Sequence, residues 1–234
     1  MAPPVEKPGT PPPQLSQVQI LFLGDSLAQG LFLALNPLMR RRDGLHLTNG
    51  TQHATGLTRV DDHNWPVVSR ELLNRYRPEL AVFWIGANDF RPLVDREARA
   101  RYEFGGPAFE QAYGRRVATM VENAKAVDAR AVWIGLPNMR DAAFATAARR
   151  LNDIQRAAAE AAGASWISTW EATSDEQGRY AAGGQRPLRA EDGVHFATPG
   201  YRQIADLAFD AATARFPELA EALGRHLPPA SGTG

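Results

Sequence analysis

Val18–Leu23 reads VQILFL, Leu80–Ile85 reads LAVFWI and Ala131–Leu136 reads AVWIGL. Each is a short, continuous apolar run with no polar alternation. A strand that alternates has one wet face, whereas a strand that is apolar throughout is covered on both faces, as in a parallel sheet between helices. Leu45–Thr48 and Ser165–Ser168 read as two weaker strands. Between the strands lie expected helices at Leu27–Arg40, Trp65–Tyr76, Pro107–Val127, Asp141–Ala162 and Thr198–Leu223, the last opened by a Thr-Pro pair. In the third of these, Phe109, Tyr113, Val117, Met120, Val121 and Ala124 recur at helical spacing. The alternation predicts an α/β protein, with one three-layer α/β/α domain around a five-stranded parallel sheet. In such sheets ligands gather at the carboxyl ends of the strands.

Composition agrees with one globular domain. The chain has 234 residues, with 44% hydrophobic and 22% charged, enough to bury a core without staples. Its 26 basic and 26 acidic residues cancel, which argues against a dedicated nucleic-acid binder. No run approaches the ~20 apolar residues of a membrane span. There is no cysteine, so thiolate metal sites and a cysteine nucleophile are excluded. His46, His53 and His63 are spaced too widely for a usual zinc motif. No metal and no cofactor is expected. Nothing in the sequence sets an oligomeric state.

Residues 1–15 hold the six prolines of MAPPVEKPGTPPP and read as an extended linker. The domain is expected over 16–226, with a flexible tail at 227–234. The opening lacks the basic start and apolar core of a signal peptide. It has the look of a linker downstream of a removed signal or anchor, which points to a bacterial periplasm or cell envelope and leaves the cytoplasm open.

Four short motifs fall after predicted strands or before the last helix. Gly24-Asp25-Ser26 follows the first strand; it reads as a helix cap or as a serine whose N–H faces developing negative charge. Gly86-Ala87-Asn88-Asp89 follows the third strand, as a turn or as an amide donor to an oxyanion. In Asp192-Gly193-Val194-His195 the carboxylate can orient an imidazole through Nδ1, leaving Nε2 to take a proton from a hydroxyl. The loop holding Asn49-Gly50 and Gly56-Leu57-Thr58-Arg59 follows the second strand, where glycine lets a backbone N–H approach a ligand. Singly each has a bland structural reading. Together they supply a nucleophile, oxyanion donors, a base and its orienter, a complete acyl-transfer site.

The four segments resemble the sequence blocks of the SGNH/GDSL hydrolase superfamily, in order and spacing, across roughly residues 18–210. The Gly56-Leu57-Thr58-Arg59 run with Trp65-Pro66 resembles a bacterial envelope-associated branch, which favours Gly56 over Gly50. The resemblance implies a flavodoxin-like sheet of order 2-1-3-4-5. It implies Ser26 as nucleophile, His195 as base and Asp192 as its orienter. The oxyanion hole would be the N–H groups of Ser26 and Gly56 with the Asn88 side chain. The implied activity is a serine esterase on short-chain esters, O-acetyl groups of an envelope polysaccharide or glycan first among them. An O-acetyltransferase with the same triad is the alternative, and a non-catalytic scaffold in polysaccharide secretion a further one. Arg59, Arg91, Arg140 and Arg189 lie in loops near the motifs, where they read as surface charge or as a basic rim for an anionic or hydroxylated substrate. Trp65, Trp170 and Tyr180 are candidates for stacking on a sugar ring. Asp25 and Asp89 read as loop supports. The long segments 90–106 and 171–191 are candidates for walls of the cleft.

Overall fold

The computed structural model describes residues 14–39, 44–60, 63–96, 98–185 and 187–224. Most of the proline-rich opening, Asp61, Asp62, His226 and the tail lie outside the described residues. Gln14 and Leu15, grouped with the linker by composition, are bonded to the other end of the chain: Leu15 N–H donates to Glu218 O at 2.9 Å and Gln14 Nε2 to Pro217 O at 3.1 Å.

The elements run in the expected alternation. They are β1 (Val18–Gly24), α1 (Ser26–Met39), β2 (Leu45–Thr51), α2 (Trp65–Tyr76), β3 (Leu80–Trp84), β4 (Leu93–Asp95), β5 (Ala100–Tyr102), α3 (Pro107–Lys125), β6 (Arg130–Ile134), α4 (Ala142–Ala162), β7 (Ser165–Ile167), α5 (Thr198–Arg215) and α6 (Ala220–Gly224). The main sheet has the order β2-β1-β3-β6-β7 with every pairing parallel. Counted over its own five strands this is 2-1-3-4-5, the flavodoxin-like order. All five residues of β3 are buried, which is why that run carries no polar alternation. Chain direction across the sheet reverses at β1, so the crevice outside the carboxyl ends of β1 and β3 is the topological switch point.

Two expectations change. The last helix is not continuous to Leu223: α5 ends at Arg215, and a 3-10 turn, Pro217–Leu219, leads into α6. Pro217 has no N–H to give and pushes Phe216 out of the helical region, to φ −130° and ψ 77°. The segment 90–106 is not a plain loop. It folds as a β4–β5 antiparallel hairpin with Leu93 opposite Tyr102, and Leu93 is buried.

The ends of β1 and β3 meet closely. Gly24 has φ +143°, and a Cβ there would stand 1.9 Å from the Trp84 carbonyl oxygen, so only glycine lets the two strands close at this level. Just beyond, the fully buried Asp25 ties them together. Its Oδ1 accepts the Leu27 N–H at 2.9 Å. Its Oδ2 accepts the N–H groups of Gly86 at 2.9 Å and Ala87 at 3.0 Å. Burial pushes the Asp25 carboxyl up, against the pull of these N–H groups and with help from the Asp89 charge, to about 6 from 3.8. A folded-state value above the unfolded one means that the fold holds the proton more tightly. Ionising Asp25 therefore costs stability, a cost absent below pH 3.8 and fully present above about pH 6. At ~1.4 kcal/mol per pH unit it amounts to about 3 kcal/mol. In Asp25→Asn that pH-dependent cost is gone. Denaturation of both proteins from pH 4 to 7 is expected to show the stability gap moving in the variant's favour by about this amount as pH rises; a constant gap would contradict the assignment.

Candidate active site

The switch-point crevice collects the sequence motifs. Ser26 is the first residue of α1, half-buried, directly beyond Asp25. His195 lies in the turn that leads into α5. Its Nε2 is 2.7 Å from Ser26 Oγ, and its Nδ1 is 2.5 Å from Asp192 Oδ2. The other carboxylate oxygen of Asp192 accepts the N–H groups of Val194 at 2.8 Å and His195 at 2.9 Å, so one side chain both shapes the turn and aims the ring. Partial burial pushes the Asp192 carboxyl up, but the bonds from the His195 ring and the two N–H groups outweigh it and hold it at about 2. Asp192 therefore stays ionised through the neutral and mildly acid range. With Nδ1–H given to Asp192, Nε2 is left as the acceptor for the serine proton.

The opposite wall is built from the loops after β2 and β3. Asn88 donates one Nδ2 hydrogen to Thr55 O at 2.8 Å, which leaves its second hydrogen for a ligand. Thr55 is held in turn by Trp65, whose indole N–H donates to Thr55 Oγ1 at 3.0 Å. Asp89 lies fully buried beneath the two loops. Its Oδ1 accepts from Thr58 N at 2.9 Å and Thr58 Oγ1 at 2.7 Å. Its Oδ2 accepts from Leu57 N and the Tyr113 hydroxyl, each at 2.9 Å. Gly56 packs directly on this carboxylate: a Cβ would stand 2.2 Å from Asp89 Oδ1. The N–H groups of Ser26 and Gly56 have no acceptor among the described residues. Gly50, the other candidate glycine, lies inside β2 opposite Leu23 of β1, in the sheet and not in the loop.

Several sequence candidates lie elsewhere than expected. Trp65 is fully buried and edge-on to His63, ring centroids 4.6 Å apart. It supports the Thr55–Asn88 contact and offers no face to a substrate, which corrects the stacking reading. Tyr180 is covered by the Arg189 guanidinium and Trp170 by that of Arg149. Arg59, Arg91 and Arg140 are exposed. Arg140 folds across Gly193, a Cβ on which would stand 2.5 Å from the Arg140 Cβ. Arg189 is 4% exposed and is not rim charge. The hairpin of residues 93–102 leans on the Gly56 loop: Val94 N–H reaches Thr58 O at 3.4 Å, and Arg116 of α3 donates to Leu57 O. Segment 171–191 is fastened by the buried Asn138, whose Nδ2 donates to Ser174 Oγ at 2.9 Å and Gly178 O at 3.2 Å. Thr55 and Asn138 escaped the sequence reading, since each acts through tertiary contacts that leave no periodic signal. Among the described residues no three potential metal ligands gather, and no helix is long and apolar enough to cross a membrane.

Comparison with solved structures bears on the fold. A GDSL-like lipase from Bacteroides thetaiotaomicron superposes with a TM-score of 0.61 at 17% identity, over 84% of this chain and 88% of that one. TesA gives 0.58 at 15% identity, over 85% and 99%. The psychrotrophic esterase EstA from Pseudoalteromonas sp., in a structure inhibited by monoethylphosphonate, gives 0.55 at 15% identity, over 85% and 98%. At these identities the likeness is one of fold, and the fold is that of the SGNH/GDSL hydrolases. Among curated proteins nothing matches the chain. A family model described as "Protein of unknown function (DUF459)" matches residues 19–211, nearly the whole α/β/α domain, and the chain belongs to that family.

Proposed function

We propose that the chain is a serine carboxylic-ester hydrolase with Ser26 as nucleophile. The observation that carries this reading is the unbroken hydrogen-bonded relay from Ser26 Oγ through the His195 ring to Asp192. A serine hydroxyl attacks a carbonyl at neutral pH only if a base removes its proton as the C–O bond forms. His195 Nε2 takes that proton, Asp192 stabilises the imidazolium, and the carbonyl oxygen becomes an oxyanion. The N–H groups of Ser26 and Gly56, which have no acceptor among the described residues, and the second Nδ2 hydrogen of Asn88 are the donors proposed for it. Collapse of the tetrahedral intermediate expels the alcohol, which takes the proton from His195. Water, activated by the same imidazole, then attacks the acyl-enzyme, releases the acid and restores Ser26.

The proposed substrates are short-chain esters, with O-acetyl groups on an envelope polysaccharide or glycan as the natural target. Support comes from the resemblance to an envelope-associated branch and from the proline-rich opening, which suits a tether at the periplasmic side.

The test is hydrolysis of p-nitrophenyl acetate beside longer-chain esters, with labelling by a fluorophosphonate. Ser26→Ala is expected to abolish both the labelling and the acyl-enzyme route. Absence of Ser26-dependent acetate release would sink the esterase reading. Asn88→Ala removes one oxyanion donor and is expected to lower kcat about 10²–10³-fold while fluorophosphonate still reaches Ser26; an unchanged kcat would remove Asn88 from the oxyanion hole.

A further inference from the structure

We infer that Arg189 is a positioning residue for the base: its buried guanidinium clamps the backbone of the Asp192–His195 turn and so holds the imidazole on Ser26. This deepens the ester-hydrolase reading and rests on it for its kinetic consequences.

The turn presents three carbonyl oxygens in succession to one guanidinium. Arg189 Nη2 donates to Val194 O at 2.9 Å and, at longer reach, to Gly193 O at 3.4 Å; Nε donates to His195 O at 3.3 Å. On its other edge Nη1 donates to Asn138 O at 2.7 Å, in the loop after β6. The clamp thus spans from the sheet to the catalytic turn. Its faces are covered by aromatic rings, with the guanidinium carbon 4.4 Å from the Phe196 centroid and 4.9 Å from that of Tyr180. Backbone pairing runs beside it: Ala190 N–H donates to His195 O at 2.9 Å and Ala197 N–H to Leu188 O at 3.0 Å.

This is an unusual way to hold a cation. Among the described residues no carboxylate pairs with Arg189, and burial lowers its guanidinium to about 10, still charged at neutral pH. Carbonyl oxygens do the solvating instead. The turn needs this support because Asp192 is half exposed and shapes the turn only locally, through its own side chain. A planar fork of five N–H donors matches carbonyls on two edges at once, which a lysine ammonium cannot do.

The test is Arg189→Lys in the full chain, with kcat and KM on p-nitrophenyl acetate, the melting temperature, and the low-field proton resonance of His195 Nδ1–H. A displacement of about 1 Å at a catalytic group costs up to ~10²-fold. The expected result is a fall in kcat of roughly 10- to 100-fold with KM within about twofold, and loss or shift of the low-field resonance in protein that remains folded. A folded variant with kcat within about twofold of the unaltered chain, or a loss carried by KM, overturns the inference. If Arg189→Lys does not hold the fold, Tyr180→Leu decides. It removes a ring that packs on the guanidinium and so frees Arg189 to shift off the carbonyls of the turn; in folded protein a lower kcat at constant KM supports the clamp and an unchanged kcat overturns it. If the unaltered chain cleaves no ester through Ser26, it is the activity reading that fails, and the resonance alone decides whether Arg189 positions the ring.

Discussion

Asp25 takes no part in the proposed chemistry, yet the geometry of the site hangs on it. A carboxylate removed from water must be repaid in hydrogen bonds, and the donors available at the carboxyl ends of parallel strands are backbone N–H groups. Asp25 accepts three: Leu27 at the start of α1, and Gly86 and Ala87 beyond β3. The first sets the entry of the helix that carries Ser26, and the others set the loop that carries Asn88. The proposed nucleophile and side-chain donor are therefore referred to one buried carboxylate. Asp89 repeats the device one loop further out, accepting from Leu57 and Thr58, so that the adjoining Gly56 is pressed against the carboxylate with its own N–H unclaimed. The Asp89 charge helps to raise the proton affinity of Asp25, and Tyr113, which donates to Asp89, is pushed well above 10 by its burial and that charge.

The base side is held by the opposite arrangement. The Asp192–His195 turn directs carbonyl oxygens inward, so its anchor is a donor, Arg189. On one side of the crevice buried anions collect N–H groups; on the other a buried cation collects C=O groups. Each side chain is satisfied by the backbone that it shapes. Both devices avoid the carboxylate–guanidinium pairs that would otherwise be the obvious way to bury such charges.

Much of this was legible before the fold was known. Continuous apolar runs gave parallel strands within two residues of their ends because burial on both faces leaves no other pattern. The extent of α2 was read without error, from its Trp-Pro start to Tyr76. Ser26, Asn88, Asp192 and His195 were picked out because each lies directly after a strand or before a helix, where chain order alone fixes position. The misreadings share a cause too. Trp65 and Tyr180 read as candidates for sugar stacking, and Arg189 as surface or rim charge, because large or charged side chains in loops and at helix starts are commonly exposed. Whether a loop side chain turns in or out depends on what the fold places beneath it, here Thr55 for Trp65 and the carbonyls of Asn138 and Val194 for Arg189. Periodicity carries no record of such contacts.

The division between the two sides of the crevice bears on how such a site can vary. Asp25, Asp89 and Thr58 are buried and tied into β1, β3 and α3, so the proposed nucleophile and oxyanion donors are anchored to the core. The proposed base sits on a turn bonded to Arg189, in a long segment outside the sheet. Through the inferred clamp, changes in residues 171–191 that shift Arg189 are expected to act on His195 and not on Ser26, Gly56 or Asn88. Substrate contacts added to that segment are thereby coupled to the orientation of His195, whereas contacts added to the 93–102 hairpin, which leans on Thr58, are coupled to the Gly56 N–H.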